Sequence, residues 1–404
     1  MGSRTKKILL VLIILLPVII ITGCKKYEMG NPLPSTMADF SFEVGNEGYA
    51  PAEVTFTNLS LNAAGYHWDF GNGQTSTETN PAVFYDTAGL YTVILTCTPV
   101  NDVHYNQLVK TTVVNVKDIN AGKTQVLYFT TRNPDGGGVH LVILDDGAPQ
   151  VQDFEEVELT RPYGITVDTA TNKVFVSDYS LGYIYSFNAD GKNPVRILDI
   201  NVAGQEIVDS PQGMFVLDGK LYWGRPGGIY RCNLDGTSPE VYVQTGLDIA
   251  PEYPIDMQYD DESGKIYFCN DKTDYSGGYF SMNLDGTAIT EHILDIDGCA
   301  IEVDFNAGKT YMAIYPADGT VVTDYGIYTC TLDGTGLAKI ADYGAKATWG
   351  VAIDHERSKL FWSYKMSNTG ADGKIIRANL DGTGQEDWVT GVNPNAMCVT
   401  WIKL

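Results

Sequence analysis

A short Asp-Gly motif that returns at a nearly constant interval constrains this chain more than any other feature. Its glycines lie 44 to 50 residues apart, and the six copies are Asp146-Gly147, Asp190-Gly191, Asp235-Gly236, Asp285-Gly286, Asp333-Gly334 and Asp381-Gly382. Asp-Gly between two alternating apolar runs is typical of a tight hairpin, because glycine adopts the positive φ of such turns without strain. Six hairpins at one period predict one supersecondary unit that is copied six times.

Each copy carries four strand-like runs, of which the second is the most regular. It follows a lysine, as in Lys173-Val174-Phe175-Val176, Lys220-Leu221-Tyr222-Trp223 and Lys359-Leu360-Phe361-Trp362. Four antiparallel strands at a period of about 40 to 50 residues are typical of a β-propeller blade. The pattern resembles the YWTD (low-density-lipoprotein-receptor class B) six-bladed propellers over residues 119–404, although no copy spells YWTD itself.

The two ends of this repeat region predict how the ring of blades closes. The first copy begins at its second strand, Gln125 to Thr130, with no first strand before it. The chain ends in an unpaired first strand, Asn395 to Ile402. Pairing these two segments completes the sixth blade and leaves no major open edge, which would otherwise invite aggregation.

Residues 37–118 alternate strands with turns and have no helical period. Their centre is the run Trp68-Asp69-Phe70-Gly71-Asn72-Gly73. The segment closely resembles the PKD domain, an immunoglobulin-like β-sandwich with the hallmark Trp-Asp-Phe-Gly-Asp-Gly, in which Asn72 replaces the second Asp. Alternation along a strand predicts that Trp68 and Phe70 face the core and that Asp69 points away. The expected fold class is therefore all-β, a sandwich followed by a six-bladed propeller.

Residues 1–23 have the order of an export signal. Arg4, Lys6 and Lys7 precede an apolar run from Ile8 to Ile21, which is too short for a stable membrane span. The following Thr22-Gly23-Cys24 resembles the bacterial lipobox, which implies that Cys24 becomes an acylated N-terminus; the alternative is an ordinary signal peptide with a chance cysteine. Residues 24–36 are predicted to form a tether, and the resemblance implies a lipid-anchored, surface-exposed protein of the outer membrane.

Charge and cysteine content narrow the partners and cofactors. With 27 basic and 50 acidic residues the formal net charge is −23, so nucleic acid and anionic lipid headgroups would be repelled. No Cys-x-x-Cys spacing occurs, which argues against zinc. We expect buried free thiols rather than disulfides for the six cysteines that follow Cys24, namely Cys97, Cys232, Cys269, Cys299, Cys330 and Cys398.

Loop lengths predict which face of the propeller binds. In an up-and-down blade the second hairpin and the inter-blade links project to one face. The long segments fall there: Thr131 to Gly138, Asn270 to Gly278, Tyr315 to Tyr325, Tyr364 to Gly373, Asp199 to Ser210 and Thr245 to Tyr253. Loops lengthened on one side of a repeat scaffold commonly mark its binding face. On the opposite face, Asp354, His355 and Glu356 are expected to form a solvent-facing turn rather than a catalytic cluster.

The residue before each first strand should ring the mouth of the central channel on the long-loop face. These six residues are Tyr163, Gln212, Ile255, Cys299, Trp349 and Asn395. Tyrosine, tryptophan and arginine are typical anchors of recognition surfaces. The candidate ligand- or partner-binding residues are therefore Tyr163, Tyr179, Gln212, Arg225, Tyr253, Tyr275, Tyr315, Trp349 and Tyr364. The alternative is that these aromatic side chains only pack against one another.

Signal, PKD domain and propeller together resemble the accessory lipoproteins of nutrient-uptake loci in Bacteroidota-type bacteria. The resemblance implies a non-enzymatic protein without a cofactor, whose partner is a glycan, a peptide, or a TonB-dependent transporter with its lipoprotein. A scaffold subunit without a ligand of its own is the second possibility. A lyase or lactonase is the third; such propellers use a metal in the channel and need His or carboxylates at its mouth, where the six predicted residues include neither.

Overall fold

The computed structural model describes residues 35–100, 105–133, 136–145, 147–244, 253–270, 277–315, 324–344, 349–367 and 372–404. The chain divides into two compact units, Met1–Ala121 and Gly122–Leu404. Within the described residues both are built of β-strands and turns, with short 3-10 helices at Asn46–Gly48 and Glu206–Val208. That part of the chain contains no helix long and apolar enough to cross a bilayer. Cys24 and the tether as far as residue 34 lie outside the described residues.

The described part of the first unit contains three sheets, one of them with only two strands. Its strands are β1 (Thr36–Met37), β2 (Phe40–Val44), β3 (Ala52–Asn58), β4 (Ala63–Asp69), β5 (Thr75–Ser76), β6 (Ala82–Tyr85), β7 (Gly89–Pro99), β8 (Tyr105–Gln107) and β9 (Val109–Val116). One sheet has the order β2-β3-β6 and another β5-β4-β7-β9, while β1 pairs in parallel with β8.

The core of the first unit forms around the tryptophan that the sequence singles out. Trp68 and Phe70 are 0% and 2% exposed, and Asp69 between them is exposed, which confirms the predicted alternation. The Trp68 ring lies 5.1 Å from that of Phe40 and 5.4 Å from that of Phe56. Its Nε1 donates a 2.9 Å hydrogen bond to a backbone carbonyl, so the buried indole is satisfied.

The second unit consists of six four-stranded antiparallel sheets, the blades I to VI. Blade I contains β10 (Thr124–Asn133), β11 (Gly136–Ile143) and β12 (Val151–Asp153); blade II, β13 (Pro162–Asp168), β14 (Lys173–Asp178), β15 (Tyr183–Asn188) and β16 (Val195–Asp199); blade III, β17 (Met214–Leu217), β18 (Lys220–Arg225), β19 (Gly228–Asn233) and β20 (Glu240–Gln244). Blade IV contains β21 (Pro254–Asp260), β22 (Lys265–Asn270), β23 (Gly278–Asn283) and β24 (Thr290–Leu294); blade V, β25 (Asp297–Asp304), β26 (Lys309–Tyr315), β27 (Gly326–Thr331) and β28 (Ala338–Ala341); blade VI, β29 (Val351–Asp354), β30 (Lys359–Tyr364), β31 (Lys374–Asn379) and β32 (Glu386–Thr390). The last strand, β33 (Pro394–Ile402), is the first strand of blade I.

The ring closes as the sequence predicts. β33 pairs antiparallel with β10 from Thr124 opposite Ile402 to Thr131 opposite Pro394. The first strands of neighbouring blades contact one another around the whole ring, in the order β33, β13, β17, β21, β25, β29 and back to β33. The chain therefore forms a six-bladed β-propeller whose first blade combines the two ends of the repeat region.

The repeated Asp-Gly turns set the spacing between blades. In the turn after β19, the N–H of Gly236 donates to the carbonyl of Asn233 at 2.8 Å, and Gly236 has a φ of 83°. A Cβ at Gly236 would lie 2.0 Å from the carbonyl oxygen of Ile197 on the last strand of the preceding blade. A side chain cannot fit there, so the glycine is required both by the turn and by the contact between blades.

The cysteines agree with the expectation of free thiols. Cys97, Cys232, Cys269, Cys330 and Cys398 are free thiols, and all of these except Cys398 are buried. Burial raises the pKa of the Cys232 and Cys330 thiols to about 12, which is the behaviour of inert core groups.

Candidate functional site

The six predicted mouth residues all lie where a blade enters its first strand. Tyr163, Ile255 and Cys299 are each the extra residue of a β-bulge, because the pairing of the first strand with the second passes over them. Asn395 occupies an equivalent irregular stretch of β33. Bulges re-aim a side chain out of the regular alternation of a strand, so the repeat itself supplies a ring of redirected positions.

Glycine lets these positions approach one another. A Cβ at Gly164 would lie 2.3 Å from the carbonyl oxygen of Gln212, and a Cβ at Gly350 would lie 2.3 Å from that of Asn395. Each of these glycines directly follows a mouth residue, and each contacts the mouth residue of the next blade in the ring. The chain therefore brings the mouth residues together by removing side chains between the backbones of adjacent blades.

Four of the predicted binding residues form one aromatic cluster at the mouth. The ring centroids of Tyr163 and Trp349 are 4.4 Å apart, and those of Tyr163 and Tyr179 are 5.3 Å apart. The Tyr179 hydroxyl lies 3.1 Å from the hydroxyl of Tyr253. Tyr163 is only 7% exposed, whereas Tyr179, Tyr253 and Trp349 are half-buried. We call these four residues the mouth cluster; Tyr163 is its packed centre and the other three present the accessible surface.

An arginine that the sequence analysis did not single out lies against this cluster. The guanidinium of Arg161 is 5.0 Å from the ring centroid of Tyr163 and 4.7 Å from that of Tyr179. Its Nη2 donates to the Tyr163 hydroxyl at 3.2 Å. Arg161 stands two residues before Tyr163, a neighbouring position that could have been noted in the sequence.

The remaining predicted residues lie elsewhere or have other partners. Gln212 is 1% exposed, and its Nε2 has no partner among the described residues. Arg225 is bound to Asp209 at 3.8 Å and stacks on Tyr230, so its charge is already used by the link between blades II and III. Tyr315 and Tyr364 are half-buried and pack on the same core cluster as Trp349. Tyr275 lies outside the described residues.

One predicted long loop is wrong. The segment from Thr131 to Gly138 is not a loop, because β10 continues to Asn133 and β11 begins at Gly136. Gly136, Gly137 and Gly138 are strand residues. A Cβ at Gly137 would lie 2.7 Å from Cδ of Pro162, so the absence of a side chain permits close packing on blade II. Asp199 to Ser210 is a connection between β16 and β17, as predicted. Each of the other four long segments lies partly outside the described residues.

Two carboxylates that the sequence analysis missed lie inside the channel. Asp256 on β21 and Glu302 on β25 line a cavity of 140 Å³ that Tyr163 and Trp349 also line. Asp256 accepts the N–H groups of the next residue and of Ile301, both at 3.0 Å. Burial raises the pKa of Asp256 to about 7 and that of Glu302 well above its usual range, the latter with help from neighbouring negative charges.

The alternation of side chains along a strand, counted from the mouth residue, could have identified these two carboxylates in the sequence. Asp256 is one residue after Ile255, and Glu302 is three residues after Cys299. Residues at these two offsets line the cavity in other blades as well, since Thr166 and Cys398 are the third residues after Tyr163 and Asn395. Within the described part of the chain, no group of three or more His, Cys, Asp and Glu residues is placed to hold a metal ion.

The hairpin on the opposite face is solvent-facing only in part. His355 has a side chain that is 52% exposed, as expected for a turn between β29 and β30. Asp354 contradicts the expectation, because it is 0% exposed and accepts hydrogen bonds from Gln125 Nε2 at 2.9 Å and from Arg357. Asp354 is therefore a structural residue that joins blade VI to blade I.

Fold and site together define an all-β protein with an immunoglobulin-like domain and a six-bladed propeller. Residues 31–116 match the PKD domain family. A pre-pro-metalloprotease, PrtV, of Vibrio cholerae is 35% identical over 105 residues, which are 24% of this chain and 11% of that protein. The chain thus spans about a ninth of the length of the curated relative that it matches.

Solved structures are similar to the chain at the level of fold. A nidogen/laminin complex gives a TM-score of 0.53 at 15% identity, covering 68% of this chain and 98% of the other. TolB from Acinetobacter baumannii gives a TM-score of 0.49 at 11% identity, covering 78% and 80%. Such a fold supports a binding or accessory role.

Proposed function

We propose that this chain is a non-enzymatic recognition protein of the cell envelope, which binds a nutrient ligand through the mouth of its propeller. In this proposal Cys24 is acylated and anchors the protein to the outer membrane. The propeller then serves the uptake of a glycan or peptide beside a transporter or its lipoprotein partner. Apart from the transporter and the anchor, which rest on sequence resemblance, the proposal depends on the geometry of the mouth.

The mouth cluster is the observation that carries the proposal. Its members come from three separate blades: Tyr163 and Tyr179 from blade II, Tyr253 from the start of blade IV, and Trp349 from the start of blade VI. Rings gathered from distant parts of a chain onto one accessible surface are typical of the aromatic anchors of recognition sites. Packing alone would account for Tyr163, but it would not require Trp349, Tyr179 and Tyr253 to remain half-buried.

The test compares ligand retention by variants of the two faces. Trp349→Ala and Tyr163→Ala should weaken retention of the native glycan, peptide or membrane partner, because buried aromatic anchors contribute about 2 kcal/mol or more, roughly thirty-fold in affinity. The double variant His355→Ala with Glu356→Ala on the opposite face should retain it fully. Each variant is first checked for an unchanged melting curve.

Four outcomes separate the alternatives. Loss from the mouth variants alone supports the proposal. Equal losses of ligand retention in the variants of both faces indicate a global folding effect. Loss of retention in the hairpin variant alone would put the binding site on the face opposite the mouth and contradict the proposal. If the protein captures a membrane protein and the variants of neither face weaken that capture, the second candidate is supported, which is a scaffold subunit without its own ligand.

A further inference from the structure

Three basic residues lie around one short segment at the channel mouth, residues 393–395, and one of them, Lys365, contacts it through its side chain. Lys365 donates from Nζ to Oδ1 of Asn395 at 2.6 Å. The Asn395 amide in turn donates to the carbonyl of Pro162, the residue after Arg161. The backbone of Arg132 makes two hydrogen bonds with Asn393. The N–H of Arg132 donates to the Asn393 carbonyl at 3.0 Å, and Nδ2 of Asn393 donates to the Arg132 carbonyl at 2.6 Å. The positive charges of Arg132 and Arg161 act on Lys365, and Arg161 stacks on Tyr163 and Tyr179, so the three residues form a basic cluster beside the mouth cluster.

No described carboxylate pairs with any of the three. Lys365 is 2% exposed and bonds only to Asn395 through its ammonium group, as far as the described residues go. The Nε of Arg161 is buried and has no partner within that same part of the chain. By contrast, nine other basic side chains lie within 4.0 Å of a carboxylate: Lys110, Lys192, Arg196, Arg225, Arg231, Lys339, Arg357, Lys374 and Arg377.

Asp178 acts on this cluster electrostatically, but its carboxylate does not pair directly with any of the three basic groups. Its negative charge acts on Arg132, but its two oxygens accept the backbone N–H groups of Thr160, Arg161, Ser180 and Leu181 at 2.6 to 3.0 Å. Burial and the positive charges of Arg132 and Arg161 lower the pKa of Lys365 to about 7. Within the described residues, positive charge without a directly paired carboxylate is thus concentrated at one place, in a protein whose net charge is −23.

We propose that the basic cluster binds the carboxylate of an acidic ligand, and specifically of an acidic saccharide whose ring lies against the mouth cluster. This inference rests on the proposed function and names the ligand class for the same site. Guanidinium groups bind carboxylates with two parallel hydrogen bonds, and a bound anion would give Lys365 a partner of opposite charge. The half-buried rings of Trp349 and Tyr179 lie beside these groups and provide flat apolar surfaces for a sugar ring.

The experiment measures binding of galacturonate and of galactose, which share the ring and differ in the carboxylate. Titration calorimetry and thermal shift at millimolar sugar should detect galacturonate, because a ligand of the folded state raises its stability. Lys365→Met and Arg161→Gln should each weaken binding about tenfold to a hundredfold, the effect of one charge-assisted hydrogen bond. Arg231→Gln is the matched control, since Arg231 is already paired with Glu240 at 2.7 Å.

A pH series separates a binding role of Lys365 from a structural one. The groups that act on Lys365 are Arg132, Arg161 and the Cys299 thiol. An anion favours the protonated ammonium, so galacturonate should bind more tightly as pH falls from about 9 to about 6, with proton uptake on binding. Lys365→Met should remove that pH dependence while leaving the melting temperature unchanged or higher.

The outcomes also distinguish this inference from the proposed function. Equal binding of galactose and galacturonate would overturn the charged-ligand inference and leave recognition by the mouth intact. The assignment to an acidic saccharide would be overturned if the protein bound inorganic phosphate or sulfate in preference to galacturonate. It would also be overturned if the protein preferred diglycine to galacturonate and did not bind the amide of diglycine. If galacturonate does not bind but Trp349→Ala still abolishes retention of the native ligand, the acidic-saccharide inference is refuted and the proposed function stands.

Discussion

The rings of Tyr163 and Trp349 touch across the mouth of the propeller, although blade I separates the blades that carry them. Their centroids are 4.4 Å apart, and both residues line the channel cavity. Asn395 of blade I lies beside this contact, since its amide binds the carbonyl of the residue before Tyr163. The contact therefore depends on how closely blades VI, I and II approach one another.

Gly350 is expected to be essential for that approach. Gly350→Ala would place a Cβ 2.3 Å from the Asn395 carbonyl oxygen and 2.9 Å from the Met397 side chain. Overpacking of this kind costs about 1–3 kcal/mol, so the melting temperature should fall and the mouth should open. Gly308→Ala is the control, because its surroundings are open and only its positive φ is strained. If the two variants melt alike, the close contact at Gly350 is not a determinant of the ring.

Removal of the last ten residues is expected to break the ring. The truncation deletes almost all of β33, whose pairing with β10 completes blade I. It would leave β10 as an open edge and expose the core that Ala396 and Ile402 help to form. We expect loss of cooperative unfolding or aggregation, measured by thermal denaturation and light scattering. A truncated protein that melts like the full-length chain would contradict the closure.

Much of this architecture could be predicted because the repeat makes it periodic. The Asp-Gly spacing fixes the strand order, and the orphan strands at Gln125 and Asn395 fix the closure. The mouth residues follow from the same register. The basic cluster could not be predicted in this way, because Arg132, Arg161 and Lys365 lie at different positions of their blades, and only the closed ring brings them together. The burial of Asp354 could not be predicted for a related reason, because its partner Gln125 is on another blade.

Asp256 should make stability depend on pH between about 4 and 7. Its folded-state pKa of about 7 is above its unfolded value, so its contribution is complete below about pH 4 and is lost as pH rises through 7. Asp256→Asn should therefore flatten the pH profile, because the amide does not titrate. The amide nitrogen cannot accept the second N–H group, so the variant should be less stable than the parent protein below about pH 4, by about 1–3 kcal/mol. Denaturant unfolding at several pH values measures this. Asp261→Asn, on an exposed hairpin, should leave the profile unchanged.

Cys24→Ala is expected to release the protein from membranes. The prediction depends on the order of basic residues, apolar run and Thr22-Gly23-Cys24 at the start of the chain. Several acyl chains hold a protein firmly to a bilayer, whereas an unacylated chain of this composition lacks that anchor. Fractionation with carbonate washes measures the result. A variant that stays with the membrane would indicate another anchor.

Hydroxyl-radical footprinting of the complex with the native ligand tests the central claim most directly. The claim is that the ligand covers the mouth cluster. Oxidation of Trp349 and Tyr179, which are half-buried in the free protein, should fall when the ligand is bound, while oxidation of His355 on the opposite hairpin should not change. Protection of His355 with unchanged oxidation of Trp349 and Tyr179 would contradict the claim.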